Sequence, residues 1–332
     1  MRAMVLRRPA AVEQGPLELA ERPVPAPGEG DVLIRVRACG ACHTDLHIAE
    51  GEVPAPRLPI VPGHQVIGLV EKAGPSATRF PVGARVGAAW LHRTCGACSY
   101  CVRGLENLCD AARFTGYHAD GGYAEYCVAP EDFVYRVPDS YADTDAAPLL
   151  CAGIIGYRAL RLSGAGPGDR LALYGFGASA HITLQVARHR GCEVFVFTRS
   201  EEHRRLALSL GAAWAGRAGD AAPAPADGAI LFAPAGRLIP AALRALRKGG
   251  TLASAVIHLD AVPEMDYQLM FEERVLRTVT ASTRKDGEAL LAAAAEARVR
   301  VETEVHPLAE ANRVLARIKA GRVRGAAVLT TG

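Results

Sequence analysis

The sequence predicts an α/β protein with two domains, in which an irregular β domain precedes a doubly wound parallel sheet. The chain has 332 residues, more than a single hydrophobic core usually supports, so two domains are expected. Hydrophobic residues make up 50% and charged residues 22%, which is the balance of an ordinary globular protein. Near residue 150 the sequence changes from short strands separated by Pro and Gly to strands that alternate with helices.

The first 150 residues contain short runs in which apolar and polar side chains alternate. The amino terminus begins in such a pattern at residues 1–6, and similar runs occupy residues 32–37 and 83–87. Pro and Gly separate these runs, as they do in the turns between short strands. This part of the chain therefore predicts a mostly antiparallel β domain.

The second part of the chain predicts a regular succession of strands and helices. Strands are expected over residues 170–174, 193–198, 228–232 and 251–257, and helices over 178–190, 201–210 and 240–247. This alternation favours a parallel sheet with helices on both faces. The remaining elements are helices over 288–297 and 308–320, a strand over 326–330, and an Ala- and Pro-rich surface loop over 218–227.

Charge and hydropathy exclude two classes of partner. The chain has 38 Lys and Arg residues against 35 Asp and Glu, a net charge of +3, which is too even to drive binding to nucleic acid or to a membrane surface. No apolar run approaches the ~20 residues that a membrane-spanning helix needs. The amino terminus lacks the apolar segment of a signal peptide. We therefore expect a cytoplasmic protein whose partners include neither nucleic acid nor membrane.

The cysteines predict a structural zinc site. Four of the nine lie within a short segment, at Cys95, Cys98, Cys101 and Cys109. In a reducing compartment such a cluster holds metal more often than disulfides. Four thiolates complete the tetrahedral shell of Zn²⁺ and leave no position for substrate. A nucleic-acid-binding zinc ribbon is the alternative, but only Arg93, Arg103 and Arg113 lie nearby, too few for a basic face.

A glycine-rich turn predicts a dinucleotide site. Gly175, Gly177 and Ala180 form a G-x-G-x-x-A pattern between the strand at 170–174 and the helix that follows. The first Gly makes the turn, the second lets the backbone approach a pyrophosphate, and the helix amino terminus favours its negative charge. Taken alone, the same glycines are also compatible with an ordinary turn.

The order of several motifs carries a resemblance to a known family. The run from Gly63-His64 through Gly68, Gly74 and Ala77 resembles the zinc alcohol dehydrogenase signature of the medium-chain dehydrogenase/reductase superfamily. The four-cysteine segment and the glycine-rich turn follow in the order typical of that family. The resemblance covers essentially the whole chain, and the residues around Trp90 and Cys151 are most similar to bacterial alcohol dehydrogenases and the cinnamyl-alcohol-dehydrogenase-like group.

The resemblance implies a catalytic zinc held by Cys42, His64 and Cys151, in addition to the structural one. Two thiolates and an imidazole form an open site whose fourth position is left for water or a substrate oxygen. Asp45 is expected to orient His64 through the other ring nitrogen, although an Asp at this place can also simply begin a helix. Gln65 departs from the family, which usually has Glu after the histidine.

The resemblance also implies a reaction: hydride transfer between a nicotinamide cofactor and primary aliphatic or aromatic alcohols and aldehydes. Thr44 matches the hydroxyl that takes the alcohol proton, and His47 matches the final proton acceptor. His47 as an ordinary surface histidine is the alternative. The side chains of Trp90, Leu91 and Ile154 are candidates for an apolar substrate pocket or, equally, for the core.

The domain organisation implied by the family is discontinuous. A GroES-like catalytic domain is expected over residues 1–152 and 283–332, with a Rossmann dinucleotide-binding domain over 153–282. In such a fold the active cleft is expected between the domains, next to the point where the strand order reverses. The family further implies a homodimer or a homotetramer.

The residues after the second strand of the parallel sheet predict NADP(H) rather than NAD(H). An NAD-binding chain places Asp or Glu about 20 residues after the first glycine, where it binds the ribose hydroxyls. Here the positions read Thr198-Arg199-Ser200, which can donate hydrogen bonds to a 2′-phosphate. Stacking of Arg199 on the adenine ring is the alternative, and it is compatible with NAD.

Two other functions remain open at this level. A zinc-free quinone or enoyl reductase shares the fold but has no use for seven metal-ligand residues. A zinc- or redox-responsive binding protein is the non-enzymatic alternative, because cysteine-rich sites can sense metal. Zinc content per chain and turnover of an alcohol separate the three.

Overall fold

A computed structural model describes all 332 residues and divides them into two units. One unit comprises residues 1–151, 281–292 and 301–332, and the other comprises residues 152–280 and 293–300. Residues 293–300, which the sequence placed in the first domain, thus lie in the second unit. The Gln185 side chain exchanges two hydrogen bonds of 2.9 Å with the Arg300 backbone, and His189 lies 3.9 Å from Glu296. These contacts attach the end of the last-but-one helix to the second unit.

The secondary structure contains seventeen strands and ten α-helices. The strands are β1 (Arg2–Leu6), β2 (Leu17–Glu21), β3 (Asp31–Ala41), β4 (Val66–Ala73), β5 (Arg85–Ala88), β6 (Leu91–Arg93), β7 (Arg113–Phe114), β8 (Tyr126–Pro130), β9 (Val134–Arg136), β10 (Arg170–Tyr174), β11 (Glu193–Phe197), β12 (Trp214–Gly216), β13 (Ala226–Leu231), β14 (Leu246–Ser254), β15 (Val275–Thr278), β16 (Thr303–Pro307) and β17 (Ala326–Thr330). The helices are α1 (His43–Glu50), α2 (Ser99–Val102), α3 (Asp143–Ala146), α4 (Ala152–Ser163), α5 (Ala178–His189), α6 (Glu201–Ser209), α7 (Leu238–Ala245), α8 (Gln268–Phe271), α9 (Arg284–Ala297) and α10 (Ala311–Lys319).

The first unit is built on the predicted, mostly antiparallel sheet. Its strand order is β16-β17-β3-β4-β5-β9, and β8 also pairs with β3. The long strand β3 buries Val32, Ile34 and Val36, and the arginines at 35 and 37 are exposed, as expected for a strand with one face on the core. All pairs are antiparallel except β16 with β17. Strand β3 ends at Ala41, which places the following residue, Cys42, at the edge of the core.

The second unit contains the predicted doubly wound parallel sheet. Its six strands are all parallel and follow the order β12-β11-β10-β13-β14-β15. Successive strands proceed to one side from β10 and to the other side from β13, so the order reverses between these two strands. In open α/β sheets a ligand binds at the carboxyl ends of the strands beside such a reversal. Strand β10 ends at Tyr174, directly before the glycine-rich turn.

The structure moves several predicted boundaries. The helix predicted over 240–247 ends at Ala245, and β14 begins at Leu246, five residues before the predicted strand. Leu246 pairs with Ala226, and a bulge follows before Gly228 pairs with Thr251. This pairing also draws residues 226 and 227 out of the predicted surface loop and into β13. No helix of the chain combines the length and the apolar character that crossing a membrane requires.

Candidate metal and cofactor sites

The junction between β3 and α1 carries the first predicted ligand. Cys42 precedes the first residue of α1, and its backbone N–H donates to the Asp45 carboxylate at 3.0 Å, which forms a capping box at the start of the helix. The same carboxylate, which is fully buried, also accepts hydrogen bonds from the Gly63 N–H and His64 Nδ1, both at 3.1 Å. Asp45 thus joins the helix start to the segment that carries His64, and it leaves His64 Nε2 as the coordinating nitrogen.

The structure brings Cys42, His64 and Cys151 together, although they are far apart in sequence. The distance from His64 Nε2 to each sulfur is 3.4 Å, and the two sulfurs are 4.0 Å apart. A tetrahedral zinc with ordinary bond lengths requires roughly 3.6 Å between nitrogen and sulfur and roughly 3.8 Å between two sulfurs. The three donor atoms therefore fit three of the four positions around a tetrahedral zinc ion.

The electrostatics of this triangle favour a thiolate at Cys42 beside a positively charged His64. The Cys151 thiol, together with His64 and against the effect of burial, holds the pKa of Cys42 well below its ordinary value. The shared hydrogen bond and burial raise the pKa of Cys151 well above it. Burial disfavours a charged imidazole, but Asp45 and Cys42 outweigh it and raise the pKa of His64 to about 10. The triangle thus stabilises the Cys42 thiolate next to the positive charge of His64. A divalent cation bound between them can take the place of that positive charge.

Aromatic side chains pack beside His64. The Trp90 ring meets the His64 ring edge-on, with centroids 5.0 Å apart, and it stacks on Phe114 at 4.8 Å. Trp90 is partly exposed, so it remains a candidate for the substrate pocket. Leu91 and Ile154 expose only 2% and 1% of their surface and belong to the core, which resolves the alternative that the sequence left open.

The four clustered cysteines also converge. The donor atoms of Cys95, Cys98, Cys101 and Cys109 all lie within 4.8 Å of one another, with Cys95 Sγ at 3.5 Å from Cys109 Sγ and 3.9 Å from Cys101 Sγ. The Cys98 backbone N–H donates to Cys95 Sγ at 3.3 Å. Backbone N–H groups of Ala97 and Cys98 lower the pKa of Cys95 to about 6, which favours its thiolate. Four sulfurs at these distances fit a closed tetrahedral zinc site.

Helix α1 carries both residues of the predicted proton path. Thr44 is buried, and His47 follows it by three positions, so both lie on one side of the helix. His47 Nδ1 lies 2.5 Å from Glu52 Oε2. The sequence analysis missed Glu52, although its position just after the helix-ending Gly51 was a signal that the chain could fold back there.

The glycine-rich turn has the local geometry that a pyrophosphate site needs. Gly175 adopts a φ of +92°, and a Cβ there would lie 2.9 Å from the Ala233 nitrogen, so only glycine fits. Gly177 precedes α5 with open space where a side chain would stand, and Ala180 packs fully buried against the sheet. The open backbone at the amino end of a twelve-residue helix fits a dinucleotide cofactor.

The residues predicted to determine the cofactor preference directly follow strand β11. Thr198 is nearly buried after the end of the strand, Arg199 is exposed, and Ser200 caps α6 by accepting a hydrogen bond of 3.3 Å from the His203 N–H. Arg204 donates to the carbonyl oxygens of Thr198 and Arg199 at 3.0 and 3.1 Å and also pairs with Glu201. Arg204 therefore binds the local backbone, and Arg199 remains as the main cationic group directly after β11.

Comparison with known proteins decides the family. Residues 28–139 match the alcohol dehydrogenase GroES-like domain, and residues 180–296 match the zinc-binding dehydrogenase family. The protein named "Probable alcohol dehydrogenase AdhA" from Mycobacterium tuberculosis is 50% identical over 335 residues, which cover 99% of this chain and 97% of that protein. The chain belongs to the zinc-binding alcohol dehydrogenases.

Solved structures agree with this membership. A cinnamyl alcohol dehydrogenase from Sorghum bicolor is 30% identical, with a TM-score of 0.88 over 99% of this chain and 97% of that one. A structure described as an NAD-dependent alcohol dehydrogenase is 26% identical, with a TM-score of 0.90 over the whole of both chains. The predicted resemblance and the predicted GroES-like and Rossmann fold of this alcohol dehydrogenase are therefore confirmed. The zinc-free reductase and the non-enzymatic sensor are not favoured.

Proposed function

We propose that this zinc-dependent alcohol dehydrogenase interconverts alcohols and aldehydes at a zinc held by Cys42, His64 and Cys151. The observation that carries the proposal is the triangle of donor atoms, with distances of 3.4, 3.4 and 4.0 Å, in a chain of this family. When bound, zinc supplies Lewis acidity to the substrate oxygen, and the nicotinamide cofactor supplies or accepts the hydride. Primary aliphatic and aromatic alcohols are the proposed substrates, because the partly exposed ring of Trp90 lies against His64.

The residues around the triangle have separate tasks in this proposal. Asp45 accepts from His64 Nδ1 and so keeps Nε2 directed toward the two sulfurs. The Thr44 hydroxyl takes the proton of the alcohol, and His47 carries it onward to solvent. Both side chains lie on α1, whose first turn also positions Cys42, so the ligand and the proton path move as one element.

A second zinc is proposed at Cys95, Cys98, Cys101 and Cys109, where it is structural. The lobe that carries these residues has only one short α-helix, α2, and three of the four cysteines are not fully buried. A closed four-thiolate site contributes directly to folding where a hydrophobic core is small. The same thiolates need a reducing compartment, which supports a cytoplasmic location.

The preferred cofactor is proposed to be NADP(H). Gly175, Gly177 and Ala180 hold the dinucleotide, while Thr198, Arg199 and Ser200 face its adenosine end. Three observations support the preference: no carboxylate follows β11 directly, Arg199 is exposed, and the Ser200 hydroxyl can still donate while it caps α6. Glu201 is turned to Arg204, and so it does not oppose a phosphate at Arg199.

A homodimer is the proposed assembly, with the outer edge of β15 as its contact. Strand β15 is the last strand of the parallel sheet, so its outer backbone groups are available to a second copy. Val275 on this strand is exposed, and so are three large apolar residues between β14 and β15 in the sequence, namely Ile257, Tyr267 and Phe271. Phe271→Asp should yield monomers in light scattering after gel filtration, whereas Leu19→Asp, on an exposed site of β2, should not. Unchanged mass in Phe271→Asp would exclude this contact.

The function is tested by following nicotinamide absorbance during oxidation of benzyl alcohol and ethanol, with each cofactor. We expect turnover that chelator abolishes and that zinc restores, and we expect His64→Ala to lose it while retaining the circular dichroism of the wild type. Quinone reduction without alcohol oxidation would favour the zinc-free reductase instead. Turnover that survives in His64→Ala would remove His64 from the site.

A further inference from the structure

The carboxylate of Glu52 holds the ring of the proposed proton acceptor. Glu52 Oε2 lies 2.5 Å from His47 Nδ1, the shortest hydrogen bond around α1. The helix ends at Gly51, whose φ of +82° reverses the chain, and the Val53 N–H then donates to the His47 carbonyl at 3.2 Å. These two features return Glu52 to the side of the helix on which His47 lies. The contact is therefore built by the backbone of the helix end and does not depend on a long side chain alone.

The neighbouring carboxylate of Glu50 binds other partners. Glu50 accepts hydrogen bonds from Lys319 Nζ at 2.8 Å and from the Val12 N–H at 2.9 Å. The other ring near His47 is that of His43, with centroids 6.3 Å apart. Among these charged and titratable neighbours, Glu52 is the carboxylate that contacts His47 Nδ1.

We propose that Glu52 is a positioning residue of the proton path, which fixes the Nδ1–H tautomer of His47 and so presents Nε2 as the proton acceptor. This inference rests on the proposed role of Thr44 and His47. A neutral imidazole that donates from Nδ1 keeps its lone pair on Nε2, and a carboxylate beside Nδ1 stabilises the imidazolium that forms when Nε2 takes a proton. The proton that Nε2 accepts later leaves to solvent, and Glu52 keeps its charge throughout.

The exposure of the two side chains suits this task. The His47 side chain is 17% exposed, whereas that of Glu52 is 56% exposed. The histidine is thus largely shielded from water, and the Glu52 carboxylate lies within hydrogen-bond distance of its Nδ1. The carboxylate of Glu52 remains accessible to water.

The test measures the His47 tautomer directly, in zinc-loaded protein labelled with ¹⁵N-histidine. Long-range proton–nitrogen spectra distinguish the tautomers, and the His47→Gln spectrum assigns the signal. We expect the Nδ1–H tautomer in the wild type and a shift toward Nε2–H in Glu52→Ala, since Nε2–H is the form that imidazole otherwise prefers. Glu52→Gln keeps an acceptor oxygen without the charge and should retain the tautomer in part. Glu50→Ala is the matched control and should leave the His47 signal unchanged.

Kinetics on the same variants connect the tautomer to turnover. Glu52→Ala should lower kcat for alcohol oxidation about tenfold with little change in KM for the alcohol, and Glu52→Gln should fall in between. An unchanged tautomer in Glu52→Ala, or a changed tautomer with unchanged kcat, overturns the inference. Normal kcat in His47→Gln would instead overturn the proposed proton path itself. Loss of kcat in His47→Gln with an unchanged tautomer in Glu52→Ala would overturn only the role of Glu52.

Discussion

Asp45 is completely buried, and its two carboxylate oxygens accept hydrogen bonds from Cys42, Gly63 and His64. Burial raises the pKa of this carboxyl group, while His64 and the Cys42 N–H oppose the increase. A buried acceptor with three donors is costly to alter, because any donor left without its partner bears a desolvation penalty of about 1–3 kcal/mol. One side chain therefore orders the helix start and the imidazole ligand together.

Asp45→Asn tests this arrangement with little change in shape. The amide offers one oxygen and two N–H donors, so at least one of the present donors must face another donor. We expect kcat/KM to fall about 10- to 100-fold, with weaker retention of the catalytic zinc during dialysis. The measurement is steady-state kinetics together with zinc content, and circular dichroism controls for folding. Full activity and zinc content in Asp45→Asn would show that Asp45 only caps the helix.

Arg199→Ala tests the choice of cofactor. The exposed guanidinium is the main cationic group after β11, since Arg204 is engaged by carbonyl oxygens and Glu201. We expect the wild type to have the higher kcat/KM with NADP⁺, and Arg199→Ala to reduce the NADP⁺/NAD⁺ ratio about tenfold, as expected for one lost hydrogen bond to a charged group. Arg205→Ala, at an exposed position of helix α6, is the control variant. Equal or higher efficiency of the wild type with NAD⁺ would contradict the preference.

Sequence patterns could predict the residue types of the site but not all of its contacts. Cys42 and His64 lie in motifs, and each type is a zinc ligand in its own right, so the pattern identified them without a structure. Glu52 lies in no motif, and its contact with His47 depends on the chain reversal at Gly51, which signals a turn without identifying the partner. Trp90 could be placed near the site, whereas the burial of Leu91 and Ile154 depends on packing that composition does not reveal.

At the scale of elements, the four-cysteine segment is tied to the first turn of α9. Glu106 lies on the 3₁₀ turn Glu106–Leu108, directly before Cys109. It accepts hydrogen bonds of 2.7 to 3.1 Å from the Arg284 backbone and guanidinium, and Arg284 also stands over the Phe133 ring at 4.5 Å. The two residues are 178 positions apart, so nothing local in the sequence predicted the pair.

Glu106→Gln tests how much the Glu106–Arg284 pair stabilises the fold and how this stabilisation depends on pH. Burial raises the pKa of Glu106, but the hydrogen bonds from Arg284 outweigh burial and hold it below the ordinary value of 4.5. The pair therefore stabilises the fold above that pH, and its contribution is lost as pH falls below 4.5 through the lower folded-state pKa. We expect Glu106→Gln to lower the Tm by about 5 °C near pH 7.

The difference in Tm between wild type and Glu106→Gln should then shrink on acidification, in thermal unfolding followed by circular dichroism. Glu288→Gln, on the same helix α9, is the matched control and should behave like the wild type. A difference that stays constant from pH 7 to pH 4 would mean that the charge of Glu106 does not contribute.

The elements themselves were more predictable than their ends. The strand at Ala326–Thr330 matches its prediction, because it is a short apolar run with a glycine directly before it. The boundary at Leu246 was missed because its conversion from helix to strand depends on pairing with Ala226. Strand β16 was missed as well, since it is formed by parallel pairing with β17, and such long-range pairing leaves little trace in the local sequence.

At the scale of the whole molecule, the two proposed zinc sites have different tasks in one chain. The three-donor site lies where β3, α1 and the residues before α4 converge, on the large core of the first unit. The four-donor site lies in a lobe with little core of its own. Loss of metal from the first site should therefore affect chemistry, and loss from the second should affect stability.

Cys98→Ser should lower the Tm by at least about 5 °C in thermal unfolding, whereas Cys42→Ala should shift it less. Equal stability of the two variants would contradict the division of tasks.

The most direct test of the account is the zinc content of purified Cys42→Ala measured beside its alcohol oxidation rate. We predict two zinc ions per chain in the wild type, one in Cys42→Ala, and no detectable oxidation of alcohol by the variant, with the fold retained. Near-normal turnover by Cys42→Ala, or a variant that still holds two zinc ions per chain, would contradict the assignment of Cys42, His64 and Cys151 as the catalytic metal site.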